Sequence, residues 1–325
     1  MYNKKLVKKV KLNGLFYYLF IRAKMRLHYS LMRREVQKKK EFNSKELELN
    51  ISDLEQFYVY NDIIREPENV LLFEILAKSG LASTFIDVGA NYGHLAKSIS
   101  GFYDSVILID ANPSAANFLN QVFSGSYKHT ILNKAIVRNP AEQIKVKLNV
   151  PVNSSGLGTV VHDNSILAVT NEVVTYEVSG DSLSNIIDEA GLTGAFVKVD
   201  VEGMEFDVIS SAGKYLSSDS FIFGFEALSI NDAKTVSDIF KNHKFYFARF
   251  SFVNDTGALS SSFFKILNAL IVGGFIEILK VDNFDSVSVD NYSQIIAIPN
   301  SLVDSFESGI EKVLIEKNYI VNLIQ

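Results

Sequence analysis

Three short stretches hold the residues whose types and spacing could do chemistry. In FIDVGANYGHLAKSIS (85–100), an apolar run closes on Asp87, and Gly89 and Gly93 bracket the turn that leads into a helical pattern. In SVILIDANPSAANFL (105–119), a second apolar run closes on Asp110, about 20 residues beyond the first glycine. In FVKVDVEGMEFDVI (196–209), Lys198, Asp200 and Glu202 alternate with Val197, Val199 and Val201. Period two puts the valines on one face of a strand and the ionisable side chains on the other. A central parallel strand is buried on both faces, so such a row is costly unless it is paired or opens onto a site.

The chemistry follows from the charges. In an open parallel sheet, ligands bind beyond the carboxyl ends of the strands, and a glycine turn there brings backbone N–H groups close to the ligand. A nicotinamide cradle would need G-x-G-x-x-G, but Asn91 and His94 stand at the second and third glycine positions. Asp87 beside the turn would repel a phosphate and suits a cationic ammonium group. Asp110 stands where a dinucleotide-type fold places the acid that grips ribose hydroxyls. A nucleoside with a positively charged tail is S-adenosylmethionine. Nothing after Val199 resembles the D/N-P-P-Y/F/W strand end of amino-methylating nucleic-acid enzymes, and Asn112-Pro113 follows the wrong strand for that role.

The elements that must position these residues are legible as apolar runs alternating with helical patterns. Strands are predicted at 83–88, 105–110, 130–137, 195–201, 221–227 and 245–252, and helices at 92–102, 114–124, 181–191, 203–215 and 231–242. This alternation predicts an α/β fold with a doubly wound, mostly parallel, Rossmann-like sheet covered by helices on both faces. Residues 41–80 read as helical, with Pro67 at a helix entrance and Gly80 just past its end. Residues 141–180 read as a strand-rich excursion around the soft loop NSSGLGTVVHDNS. Residues 255–290 read as an insertion, a lid, dimer contact or buried hairpin, too broken by Lys265, Gly273-Gly274 and Glu277 for a membrane span.

Composition narrows the field. The chain has 325 residues, 47% hydrophobic and 21% charged, enough for a large core. Without cysteine there are no disulfides, thiolate metal sites or cysteine nucleophiles. The five histidines are scattered, so no metal site is assigned, although the carboxylates leave an oxygen-liganded magnesium or calcium ion open. Residues 1–40 carry 13 Lys or Arg against Glu35 alone, a net of +12, and the remainder carries −17. The expectation is a basic amphipathic arm over 1–45, a helical extension with Phe16, Phe20, Ala23, Leu27 and Leu31 on one stripe. Such an arm would lie on an anionic membrane surface or pack on its own domain; nucleic acid is not the expected partner. The run LFYYLFI is too short to span a bilayer and no cleavage site follows, so a cytoplasmic protein is expected, peripheral on the inner membrane face in the reading where the arm lies on lipid. The main domain is then 46–325, with its core at 68–252, the insertion at about 255–290 and a closing strand and helix.

DVGANYG, IDANPSAANFL, LNKAIV and VKVDVEGMEFDVI, in this order and spacing over about 68–230, resemble the successive motifs of FkbM-type S-adenosylmethionine-dependent methyltransferases. KVDVEGMEF is the most diagnostic. The resemblance implies a class I methyltransferase that O-methylates a sugar, glycan or other small hydroxyl compound. It implies that Asp87, Gly89, Ala90, Asn91 and Gly93 hold the methionine end of the cofactor and Asp110 the ribose. Asn112 and Asn133 would lie near the adenosine, and Ser155, with Ser154, would line the same pocket. Two departures stand out: Asp110-Ala-Asn-Pro replaces E-P-N-P, and Asp181-Ser-Leu-Ser replaces the motif before the fourth strand. A hydroxyl acceptor must lose its proton, so Asp200 or Glu202 is expected as base, tuned by Lys198, with His162 in reserve. The rival reading is a binding or scaffold protein that keeps the fold without the catalysis.

Overall fold

The period-two runs of the chain become strands wherever they can pair. The structure, a computed structural model, describes residues 4–11, 37–42, 45–51, 53–60, 66–141, 145–151, 158, 173–227, 229–252, 274–282, 284 and 293–316. The chain opens with β1 (Lys4–Lys11), the hairpin β2 (Gln37–Phe42) and β3 (Lys45–Asn50), then α1 (Leu54–Tyr60) and α2 (Pro67–Lys78). The alternating core begins with β4 (Thr84–Val88), α3 (His94–Ile99), β5 (Ser105–Ile109), α4 (Pro113–Val122) and β6 (His129–Leu132). The excursion holds β7 (Ala135–Ile136), β8 (Lys145–Pro151) and β9 (Val173–Asp181). After α5 (Leu183–Glu189) come β10 (Ala195–Val199), α6 (Glu205–Ser210), β11 (Phe221–Ala227) and α7 (Ile230–Ser237). The chain finishes with β12 (His243–Phe252), β13 (Gly274–Val281), β14 (Ser293–Pro299) and α8 (Val303–Glu316).

The main sheet has nine strands in the order β6-β5-β4-β10-β11-β14-β12-β13-β1. From β6 to β11 every pairing is parallel, and from β11 to β1 every pairing is antiparallel. Strands β12 and β1 therefore run with the parallel set, while β13 and β14 run against it. Winding goes outward from β4 to β6, then restarts at β10 toward β11. The switch point lies between β4 and β10, and a crevice opens there at the carboxyl ends of the strands. One face buries Val197, Val199, Phe223 and Phe225 with α5, α6 and α7. The other buries Phe85, Phe196 and Tyr246 with α2, α3 and α8. The doubly wound α/β expectation holds.

The N-terminal region differs from its reading as a helical arm. Residues 4–11 form the edge strand of the main sheet, paired with β13, with Leu6 and Val7 packed on opposite core faces. A strand whose partner is some 270 residues away leaves no local signal, and KKLVKKVK fits either period. Residues 37–42 and 45–50 pair antiparallel on either side of the expected boundary at 45, and KELELN buries Leu47 and Leu49 while exposing Glu46 and Glu48. That alternation makes it a strand, although the surrounding 41–80 reads as helical. The helical stripe Phe16–Leu31 lies outside the described residues. In the 255–290 insertion, 274–281 is neither a lid nor separate from the sheet; it is β13, between β1 and β12. Its interrupting Glu277 is paired with Arg249 across the strands at 3.1 Å. Among the described residues no helix is long and apolar enough to cross a membrane.

Candidate active site

The turn after β4 is built for close packing. Gly89 has φ +80°, and a Cβ there would sit 1.8 Å from the Asp200 carbonyl oxygen, so the glycine admits the end of β10 rather than a ligand. Gly93 has φ +74°, and its Cβ would meet Leu119 at 2.6 Å, so α3 starts hard against α4. The N–H groups of Gly89 and Ala90 donate to the Ile109 carbonyl at 2.9 and 3.1 Å. Asn91, itself at φ +50°, donates its N–H to Asp110 Oδ2 at 2.6 Å, and Gly93 donates to the Ala90 carbonyl. These donors are therefore already engaged within the chain. The expectation that this turn offers its N–H groups to a ligand is not met by these four donors.

Asp110 ties the two strand ends together. Its second oxygen accepts from the Asn112 N–H at 2.7 Å. Burial pushes its acid up to about 6 against the pull of these two donors. A carboxylate has about four acceptor positions, so two remain for ligand hydroxyls. Asn112 caps α4, accepting from the Ser114 N–H at 3.0 Å, and Asn133 donates to the carbonyls of Asp110 and Ala111. Both asparagines shape the β5 corner, and Asn112 also lines the cleft.

Register places Asp87 of β4 beside Lys198 of β10, and Gly224 of β11 on the far side. Lys198 Nζ lies 3.0 Å from Asp87 and 3.2 Å from Asp200, with Lys198 and Asp87 almost wholly buried and Asp200 a third exposed. Burial alone would lower the Lys198 ammonium; the carboxylates of Asp200 and Asp87 outweigh it and raise it, so the lysine stays charged. Burial raises the Asp87 acid, and Lys198 partly offsets this. Within that row Lys198 is thus paired with Asp200, and it links the end of β4 to the loop beyond β10.

Strand β10 ends at Val199, so Asp200 and Glu202 belong to the loop beyond it, where Glu202 takes φ +55°. Glu205, not Glu202, organises the entry to α6: its carboxylate accepts the N–H groups of Val201 at 3.0 Å and Gly203 at 3.1 Å. Single carboxylate oxygens of Asp200, Glu202 and Glu226 lie within 4.8 Å of one another. Glu226, near the end of β11, escaped the sequence reading, as did Glu66, Glu55 and His94, which line the same cleft. Nothing local marks Glu226; a lone acid near the end of an apolar strand looks the same when it faces solvent. Glu55 of α1 lies 3.8 Å from His94, so α1 helps wall the site.

The cleft measures about 270 Å³ and brings together Asp87, Gly89, Ala90, Asn91, Asp110, Asn112, Lys198, Asp200 and Glu202 from the sequence reading. Gly93 and Asn133 stand behind this lining. Ser154, Ser155 and His162 lie outside the described residues, although Gly158 of the same loop reaches the cleft. A wall of acids with its one buried lysine already paired suits a ligand bearing positive charge, which fits S-adenosylmethionine.

No curated protein sequence matches the chain. Among solved structures, it is similar to aTrm5 in a complex with tRNALeu at 10% identity, covering 82% of this chain and 54% of that one, TM-score 0.33. It is also similar to a precorrin-6y C5,15-methyltransferase from Geobacter metallireducens GS-15, at 10% identity, 67% and 88% coverage and TM-score 0.34. M. jannaschii TYW2 in complex with AdoMet is similar at 7% identity, 82% and 88% coverage and TM-score 0.30. The chain spans about half the length of the aTrm5 chain. The profile of the methyltransferase FkbM domain matches residues 87–263, from the acid of β4 to beyond β12. The chain belongs to the FkbM family of methyltransferases, which use S-adenosylmethionine.

Proposed function

We propose that this methyltransferase transfers its methyl group to a hydroxyl of a sugar, glycan or similar small compound. The observation that supports this is the group of three carboxylates, Asp200, Glu202 and Glu226, at the end of the cleft beyond the Gly89 turn. When bound, S-adenosylmethionine supplies an electrophilic methyl on a positively charged sulfur. Asp87 and the cleft-lining residues Gly89, Ala90 and Asn91 would pack around its methionine end, and Asp110 would hold its ribose. Much of the acceleration comes from alignment, worth on the order of 7–11 kcal/mol at best. The chain must also remove the proton of the attacking hydroxyl. Asp200, a third exposed and fixed by Lys198, is set to accept it, with Glu202 beside it. The same acids grip neighbouring hydroxyls and disfavour an acceptor with phosphate at the reacting end.

The test is transfer from methyl-¹³C-labelled S-adenosylmethionine to a panel of sugars and glycan extracts, read by carbon NMR. A methyl in the O-methyl region supports the reading; methyl groups on nitrogen or carbon alone refute it. Asp200→Ala should abolish transfer while cofactor affinity persists.

The lysine-rich N-terminal region supports a second element of the proposal, contact with an anionic membrane on the cytoplasmic side, at roughly 1 kcal/mol per basic residue near the surface. Because β1 belongs to the sheet, deleting this region would damage the domain. Flotation of the full chain with anionic and neutral vesicles, at low and high salt, is the cleaner test. Equal behaviour with both vesicle types removes the membrane.

A further inference from the structure

The two ends of the cleft differ in chemistry. On the β5 side Ala111, Ala135 and Leu148 line it and belong to one apolar cluster, which suits the face of a purine. Around the turn after β4 the lining carries acids and His94 instead. A nucleoside whose ribose meets Asp110 therefore sends its base toward the apolar end and its amino-acid tail toward Asp87. That tail ends in an ammonium and a carboxylate. Asp87 is fully buried, and its charge already meets the Lys198 ammonium at 3.0 Å. The incoming ammonium calls for a further acid at this end, and α1 brings one there. In the apolar cluster of the N-terminal region, Leu49 of β3 and Phe57 of α1 bury with Tyr92 of the turn and Phe118 of α4. Asp53 caps α1, accepting from the N–H groups of Glu55 at 3.1 Å and Gln56 at 3.0 Å, so its first turn is fixed. Glu55 is only 6% exposed, lines the cleft, and lies 3.8 Å from Nδ1 of His94, the residue that follows Gly93.

We propose that Glu55 binds the ammonium at the methionine end of the cofactor, so that α1 completes the cofactor site. Glu55 takes this role with the cofactor oriented as above, Asp110 at the ribose, and so rests on that reading. Helix α1 precedes the span that matches the family profile, residues 87–263, so this contact is an addition of the N-terminal region. The carboxylate accepts from the ammonium N–H groups, and a charge-assisted bond in a largely buried wall is among the stronger ones a ligand can make. A Glu55 that only fastened α1 to His94 would be indifferent to the ligand's tail. A Glu55 that binds the ammonium separates ligands that have the tail from ligands that lack it.

Two probes make that separation without any methyl acceptor. S-adenosylhomocysteine carries the amino-acid tail, whereas 5′-methylthioadenosine keeps the nucleoside and the sulfur but has neither ammonium nor carboxylate. In calorimetry on the full-length protein, Glu55→Gln should weaken S-adenosylhomocysteine roughly tenfold or more and leave 5′-methylthioadenosine unchanged. Equal losses for both probes, or an unchanged affinity for S-adenosylhomocysteine, overturns the proposal. Asp110→Ala should weaken both probes alike, because both carry the ribose. If Asp110→Ala behaves so while Glu55→Gln fails its test, Glu55 alone is removed and the cofactor orientation stands. If Asp110→Ala spares 5′-methylthioadenosine, the orientation itself is wrong and the Glu55 role falls with it. Amide hydrogen exchange of the wild-type chain supplies a readout that needs no variant and decides the matter should Glu55→Gln not fold. S-adenosylhomocysteine should slow exchange in α1 (Leu54–Tyr60) well beyond any effect of 5′-methylthioadenosine. Equal protection by the two probes, or none from either, overturns the proposal.

Discussion

Replacing Lys198 with methionine keeps the length and apolar stem of the side chain but removes the cation between two acids. Asp87 would then be a fully buried carboxylate without its ion-pair partner at 3.0 Å. Breaking a buried pair from one side costs about 3–5 kcal/mol. The cost has a ceiling, because Asp87 can take up a proton instead. At pH 7, neutralising an acid whose unfolded pKa is about 3.9 costs roughly 4 kcal/mol, at about 1.36 kcal/mol per pH unit, and at pH 5 only about 1.5 kcal/mol. In the variant, the native state would bind a proton that the unfolded chain has released, so stability falls as pH rises. Thermal unfolding should therefore show a midpoint lowered by about 8 °C at pH 7 and by about 3 °C at pH 5, at roughly 2 °C per kcal/mol for a chain of this size. Adding Asp87→Asn to the variant should recover much of the loss at pH 7 and little at pH 5. Equal losses at both pH values, or no rescue, would refute the claim that Lys198 exists to neutralise this strand end.

Three further outcomes follow from named contacts. Gly89→Ala combines a left-handed backbone with a 1.8 Å overlap on the Asp200 carbonyl, so β4 and β10 must part at their ends and strain the Asp200 N–H bond to Val88. The expected loss is about 2–4 kcal/mol, visible in denaturant unfolding, together with weaker cofactor binding. Burial sets the Asp110 acid near 6, so if only its ionised form accepts ribose hydroxyls, affinity for S-adenosylmethionine should fall roughly tenfold between pH 7 and pH 5; a flat calorimetric profile would remove that role. Glu205→Gln, which weakens the carboxylate grip on the Val201 and Gly203 N–H groups, should destabilise the Asp200–Glu202 loop by about 1–2 kcal/mol and make it exchange amide hydrogens faster.

The sequence revealed most where local pattern and tertiary role coincide. Strands β4, β5, β10 and β11 are apolar runs flanked by turn residues, and the acids Asp87, Asp110 and Asp200 stand at or just beyond their ends, so both the sheet and the cleft could be read. The alternation around Lys198 correctly marked an occupied ionic row, but its partners could not be named, because Asp87 and Lys198 meet only through the parallel register. Glu226 was missed because the acid beside Asp200 comes from the neighbouring strand, 26 positions later, with no motif around it. β1 was misread because its lysines suit either a membrane helix or a solvated sheet edge, and the strand that settles the matter, β13, lies at the far end of the chain. The glycines were recognised as necessary, but the neighbour that requires Gly89 is a backbone carbonyl of β10 rather than a ligand.

The account turns on a crevice whose strand-end acids receive a nucleoside with a positive tail. Isothermal titration of the full-length protein with S-adenosylmethionine, beside NADH as the phosphate-bearing alternative, measures this directly. The prediction is single-site binding of S-adenosylmethionine, weakened by Asp110→Ala and by Asp87→Asn, with no heat from the dinucleotide. Binding of NADH in its place, or affinity for S-adenosylmethionine indifferent to both acids, would contradict it.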